Sequence, residues 1–211
     1  NILHLDSSMV KTSPQTCMAT GCHNEATTWY YHISDRRSVG SEAYCAAHAA
    51  GQGTRLCKST GVRYNYEGLM ACGSDYVEFV PWLVRVDNSY NYTPCLMDVL
   101  GCNHLFCWNV HYTDLVILYN LLLEPEIGHT TIHHAFLGIA RALGGIPKSV
   151  DFNRFDPESN QICASLALHV HTELRTFEIR PGDALLLSLV GNIPLLISKD
   201  VLRAQQNGWQ V

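Results

Sequence analysis

A chain of 211 residues is long enough for one sizeable domain with a small appendage, and at 47% hydrophobic and 16% charged it is globular, with fewer charges than usual. A net charge of −5 argues against a broad electrostatic grip on nucleic acid, and Arg36-Arg37 alone reads as a solvated turn. No apolar run approaches the ~18 residues of a membrane span, and no signal peptide is expected. Nine cysteines, an odd number in a chain longer than the disulfide-rich mini-proteins, point to reduced thiols in a cytoplasmic or other reducing compartment. A first residue of Asn1 rather than Met leaves trimming, processing and excision from a polyprotein all open. Asn91-Tyr92-Thr93 matches a glycosylation tripeptide, but Pro94 follows it directly and the match reads as chance.

Ile2-Leu3-His4-Leu5 opens the chain as a short strand, followed by a Ser/Thr/Pro segment. Cys17, Cys22, Cys45 and His48 then read C-x4-C and C-x2-H. Three thiolates and one imidazole suit a tetrahedral Zn2+ ion. Between the pairs, Thr27 to Ile33 is β-branched and aromatic, as a strand should be, and Asp35 to Ser41 is polar and turn-like. Ala43 to Ala50 favours helix, where Cys45 and His48, three apart, share a face. A knuckle, a hairpin and a helix start clasping one metal resemble the treble-clef class of zinc module, which serves nucleic-acid binding, protein binding and scaffolding alike. Gly51-Gln52-Gly53 reads as the hinge after it, which divides the chain at 1–53 and 54–211.

Val77 to Val86 predicts a strand interrupted at Pro81, and Asp87-Asn88-Ser89 a turn. Cys95 follows Thr93-Pro94 and precedes the apolar stretch Leu96 to Leu100, which places a thiol at a helix N-terminus, where its pKa falls. Cys95 with His169 and His171, expected on one face of a later strand, outlines an alternative: a papain-like cysteine hydrolase, with Asp183 or Asn192 as nominees for a third member. Gly101 to Trp108 resembles the middle of a RING-type module, and Cys102, His104 and Cys107 with either His111 or Cys72 outline a second zinc site. The Cys-x2-Cys pairs that a RING needs on both sides are missing, with fourteen residues between Cys57 and Cys72.

Thr113 caps a predicted helix with Asp114 in its first turn and Pro125 as its stop, and a second helix fits Thr131 to Leu143. The apolar side of the second helix is Ile132, Ala135, Phe136, Ile139, Ala140 and Leu143. Gly144-Gly145 and Pro147 end it. His133 and His134 diverge on the helix, and His129 with His133 reads as surface polarity. Ile162–His171, Arg175–Ile179, Asp183–Leu189 and Pro194–Ser198 predict strands, punctuated by Arg180-Pro181-Gly182-Asp183 and Gly191-Asn192. Ser198 caps a last helix through Gln206. The fold class is therefore α+β: a small zinc-bound knuckle-hairpin-helix module, then an antiparallel sheet with two adjacent helices.

Arg141-Ala142-Leu143-Gly144-Gly145, followed by Phe177 to Leu187 with its Pro-Gly-Asp turn, resembles the C-terminal half of type-2C metal-dependent protein phosphatases. Val86 to Tyr92 is similar to that family's valine-glycine-aspartate-serine strand end, and the resemblance covers about residues 70–205. It implies paired helices over a sheet, with carboxylates holding two hard metal ions that activate water. The chain departs from that pattern. One family aspartate falls at Val190, the other at Asn88 or Asp87, and no Asp-Gly-His-Gly-Gly segment occurs. The combined expectation is a zinc-stabilised, non-catalytic interaction or structural protein with a degenerate phosphatase-like half, engaging a protein partner or larger assembly. An active metal-dependent phosphatase is the other enzymatic alternative.

Overall fold

The structure, a computed structural model, describes residues 16–34, 37–49, 70, 73–87, 92–100, 104–108, 110, 113–114, 117–118, 121 and 131–207. The expected strand at 2–5, the hinge at 51–53 and the turn at 88–89 lie outside the described residues. Among those described, nine strands make one mixed sheet. They are β1 (Thr28–Ser34), β2 (Arg37–Tyr44), β3 (Tyr76–Asp87), β4 (Tyr92–Asp98), β5 (Leu105–Cys107), β6 (Gly145–Asp156), β7 (Gln161–Val170), β8 (Glu173–Ile179) and β9 (Leu195–Ser198). The helices are α1 (Ile132–Ala142), α2 (Pro181–Gly191) and α3 (Lys199–Gln206), with helical residues also at 46–49, 70, 113–114, 117–118 and 121. The α+β expectation holds.

The sheet runs β2-β1-β3-β9-β6-β7-β8, and β4 and β5 extend from the other edge of β3. Every pairing is antiparallel except β6 with β9. That parallel pair follows from the path: β6, β7 and β8 meander, then α2 carries the chain back beside β6. The long β3 joins the two ends of the chain. Its Leu83–Asp87 half pairs with β1, and its Tyr76–Phe79 half pairs with β9. Hydrogen bonding thus runs across the expected boundary at 53/54.

Two prolines lie inside long strands without ending them. Pro81 in β3 and Pro147 in β6 each sit at a register shift, where a missing N–H costs the ladder little. Pro147 is why β6 escapes a sequence reading that treats residues 144–147 as a stop. The turn expected at 35–41 is shorter than predicted, since β2 begins at Arg37. Helix also begins later than Ala43, because Ala43 and Tyr44 finish β2 and only 46–49 are helical.

Asp183–Leu189, expected as a strand, is helical. A short apolar run has no period that separates buried strand from buried helix, and here the start signals decide. Pro181 opens the first turn, where its absent N–H is harmless, and Asp183 follows in that turn, where the dipole favours acid. Asn192, left-handed at φ 55°, closes it. Residues Ala184 to Leu189 are all buried, so α2 is a core helix, apolar all round. The main core gathers α2 with Phe79, Phe106, Trp108 and Phe152. Trp108 and Phe152 meet edge-on with centroids 5.0 Å apart. Leu118 joins them.

The α1 expectation is met in extent, with Thr131 at the N-cap donating its backbone N–H to His134 Nδ1 at 3.2 Å. Its orientation is the reverse of what its apolar face suggests. His133 and Leu137 are buried, while Ile132, Phe136, Ile139 and Leu143 are 76%, 44%, 62% and 71% exposed. No helix among the described residues is long and apolar enough to cross a membrane.

Candidate metal centre

Four side chains from three local structures converge at the edge of the hairpin. The first two come from a tight turn. Cys22 donates its N–H to Ala19 O at 2.9 Å, Gly21 takes φ 75°, and Thr16 bridges Glu25 below. A left-handed residue there favours glycine. The turn is stitched to the hairpin end, because Met18 N–H donates to Ala43 O and Thr27 N–H to Tyr44 O, each at 2.9 Å. Cys45 leaves β2 and its carbonyl accepts from His48 and Ala49, starting the helical turn that carries His48.

The sulfurs of Cys17, Cys22 and Cys45 and a ring nitrogen of His48 all lie within 4.8 Å of one another. His48 Nδ1 is 3.3 Å from both Cys17 Sγ and Cys45 Sγ, and Cys22 Sγ is 3.9 Å from Cys45 Sγ. A tetrahedral ion with bonds of about 2.3 Å to sulfur and 2.0 Å to nitrogen spaces its ligands about 3.8 Å (S to S) and 3.5 Å (S to N). These three distances are close to those spacings. A disulfide would instead hold its sulfurs about 2.05 Å apart. This cluster can hold a metal ion, and it is the only such group of three or more among the described residues.

The electrostatics favour the ligating thiolate at Cys45 and Cys17, and favour the protonated, non-ligating form at Cys22 and His48. The His48 backbone N–H beside its sulfur draws the Cys45 thiol down to about 6, against burial. Burial pushes the Cys17 thiol up, but the backbone N–H groups of Cys45 and Ala19 outweigh it and leave it lowered. Cys22 is raised: the backbone beside Asn24 lowers it, but burial and the two neighbouring sulfurs prevail. The sulfurs of Cys45 and Cys17 raise the His48 ring. Thiolates are the form in which cysteine binds a soft divalent cation.

The other predicted sets fare differently. Of Cys102, His104, Cys107 and His111, the first and last lie outside the described residues. The two described members turn to separate neighbours. His104 donates its backbone N–H to Asp98 Oδ2 at 2.6 Å with Nδ1 3.4 Å from the same oxygen, and Cys107 Sγ lies 2.6 Å from Cys95 Sγ. Cys95 itself stands in the middle of β4, so the helix N-terminus expected to activate it does not exist there. His169 is on β7, and β3, β9 and β6 separate β7 from β4. His171 does not share a strand face with His169, because β7 ends at Val170 and His171 turns the chain at φ 55°. The hydrolase constellation is not assembled.

His133, read as surface polarity, is buried. Its Nε2–H donates to Asp183 Oδ1 at 3.0 Å, and its Nδ1 has no hydrogen-bond partner among the described residues. Arg180 grips the same carboxylate through Nε (2.8 Å) and one terminal nitrogen (2.9 Å), and reaches buried Asp114 at 3.1 Å. Arg180 first, and then His133, hold the Asp183 carboxyl below its usual range despite burial. A Cβ on Gly182 would collide with Asp114 Oδ2, so only glycine admits this approach. The sequence carried one trace of this clasp, the Arg-Pro-Gly-Asp run, which reads equally well as a turn.

No model of a known protein family matches the chain, and no curated protein matches it in sequence.

Proposed function

We propose that this chain is a zinc-stabilised interaction or structural protein without catalysis of its own. The Cys17, Cys22, Cys45 and His48 cluster carries the reading. Three sulfurs and one nitrogen at tetrahedral spacing select zinc over hard cations, and four protein ligands leave no position for a catalytic water. The turn, hairpin and helix start that present them fit a treble-clef-like module. The ion's part is to hold together a region too small to do so by apolar burial.

The interaction half of the reading is supported by α1. Ile132, Phe136, Ile139 and Leu143 recur along one side of the helix and face outward, beyond the scattered single apolar residues of an ordinary surface. A protein partner or assembly is the occupant this chemistry favours. The phosphatase-like part of the reading rests on the residue resemblance alone, because the run after Pro-Gly-Asp is helix α2 and not the strand that the resemblance implies.

Elemental analysis of the purified protein tests the proposal. One zinc per chain is expected, lost in Cys17→Ser. A metal-free protein whose stability chelators leave unchanged overturns it. Hydrolysis of an aryl phosphate that depends on added manganese would overturn the non-catalytic part.

A further inference from the structure

Beyond the metal centre, two more cysteines face one another. Cys95 on β4 is directly opposite Cys107 on β5 in an antiparallel ladder. Directly opposed residues hold their Cα atoms about 4.5–5.5 Å apart with side chains on one face, within the roughly 4.4–6.8 Å that a disulfide spans. The two sulfurs are in contact at 2.6 Å. The hairpin is also closed independently of the sulfurs. Asp98 N–H donates to His104 O at 3.2 Å, and Asp98 Oδ2 accepts from His104 N–H at 2.6 Å. Bond formation therefore needs no rearrangement of the backbone.

We propose that Cys95 and Cys107 are a redox pair, a dithiol that closes to a cross-strand disulfide by exchange with a small-molecule disulfide. Access sets the order of events, since Cys107 is half-buried and Cys95 buried. The Cys107 thiolate attacks one sulfur of the small disulfide. The S–S bond of the reagent breaks, one small thiol leaves, and a mixed disulfide forms on Cys107. The Cys95 thiolate then attacks the Cys107 sulfur and expels the second small thiol. The protein loses two electrons and two protons, and the reagent gains both as two thiols. The other described cysteines have different neighbours: Cys17, Cys22 and Cys45 share the metal cluster, and Cys163 Sγ accepts from Arg154 Nε at 3.4 Å.

The test uses the full chain equilibrated in buffers of oxidised and reduced glutathione, acid-quenched, alkylated and digested without reduction. The expected product is a peptide pair joined through Cys95 and Cys107, which disappears as reduced glutathione increases. Cys95→Ser should accumulate glutathione on Cys107, whereas Cys107→Ser should leave Cys95 unmodified. The wild-type map stands even if a variant fails to fold. Alkylation of both residues in every buffer, or linkage of either to Cys17, Cys22 or Cys45, overturns the proposal. Zinc content measured on the same samples keeps this result separate from that of the metal centre.

Discussion

The two apolar clusters of this protein are built from different materials. The main core is aliphatic and aromatic, with Phe79, Phe106, Phe152, Leu166, Leu186 and Ile197 fully or almost fully buried. The N-terminal cluster is Cys17, Tyr30, Tyr44, Cys45, Cys95 and Leu105. Each fully buried large side chain of the first kind contributes about 1.5–3 kcal/mol, and the core has many. The second cluster has one leucine, two tyrosines that meet edge-on at 6.1 Å, and thiols. Area alone stabilises it far less, so a region of this composition depends on bonds of another kind. The Cys17, Cys22, Cys45 and His48 cluster, which can hold a metal ion, sits where that deficit is. The clusters are nonetheless mechanically joined, because β1 of one region is hydrogen-bonded to β3 of the other over Thr28–His32.

The largest effect expected is from metal removal. A structural zinc contributes on the order of 10 kcal/mol to a small fold, far beyond what the N-terminal cluster can replace. Chelation should abolish hydrogen-exchange protection in β1 and β2 and leave β6, β7 and α2 protected. Protection of β1 that survives chelation would mean the β3 ladder suffices, and the contrast between the regions would fail. Phe152→Ala probes the other side. Its ring packs against both Phe106 and Trp108, so truncation should cost about 3–5 kcal/mol in denaturant unfolding. Zinc stoichiometry in the folded variant should stay unchanged.

Next in size is Asp183→Asn, which removes the charge that Arg180 and His133 share. Hydrogen bonds to a charged group contribute about 1.5–3 kcal/mol, but Arg180 is 60% exposed and solvent screens its part, so a loss near 2 kcal/mol at pH 7 is expected. The pH dependence has a definite sign. The folded carboxyl titrates below the unfolded value of about 3.9, so its contribution is complete above that unfolded value and is lost as pH falls through the folded one. The stability gap between wild type and variant should therefore close below about pH 4. A gap that stays constant from pH 7 to pH 3 would show that shape rather than charge holds this clasp.

What the sequence revealed follows the same division. The cluster that can hold a metal ion was legible because cysteine and histidine at short spacings have few other uses, and because the Thr27–Ile33 strand between its two halves is strongly patterned. Helix α1 and the Ser198 cap were legible from end signals. Three features were hidden for identifiable reasons. The α2 run Ala184–Leu189 is apolar on every side, which erases the period that distinguishes helix from strand. Strand β6 is masked by Gly145 and Pro147, whose breaking effect a register shift absorbs. The His133–Asp183–Arg180–Asp114 clasp joins residues up to 66 apart in sequence, and no local pattern announces such a contact. The outward-facing apolar side of α1 was visible as a pattern, but which way it would face depends on His133 finding Asp183.

The smallest effect expected is at the junction of β9 and α3, and it bears on the comparison by its locality. Ser198 Oγ accepts from Val201 N–H at 3.3 Å, as a helix cap does, and donates to Asn153 O on β6 at 2.6 Å. One hydroxyl thus starts the helix and ties it to the neighbouring parallel strand. Ser198→Ala should cost about 1 kcal/mol in denaturant midpoint, with protection reduced in α3 and β9 but not in β1 or β2. Ser198→Thr keeps the hydroxyl and should recover most of the loss. If β1 and β2 loosen as well, the two ends of β3 are a single cooperative unit. The N-terminal region would then draw its stability through the sheet, and not chiefly from the four ligands at its edge.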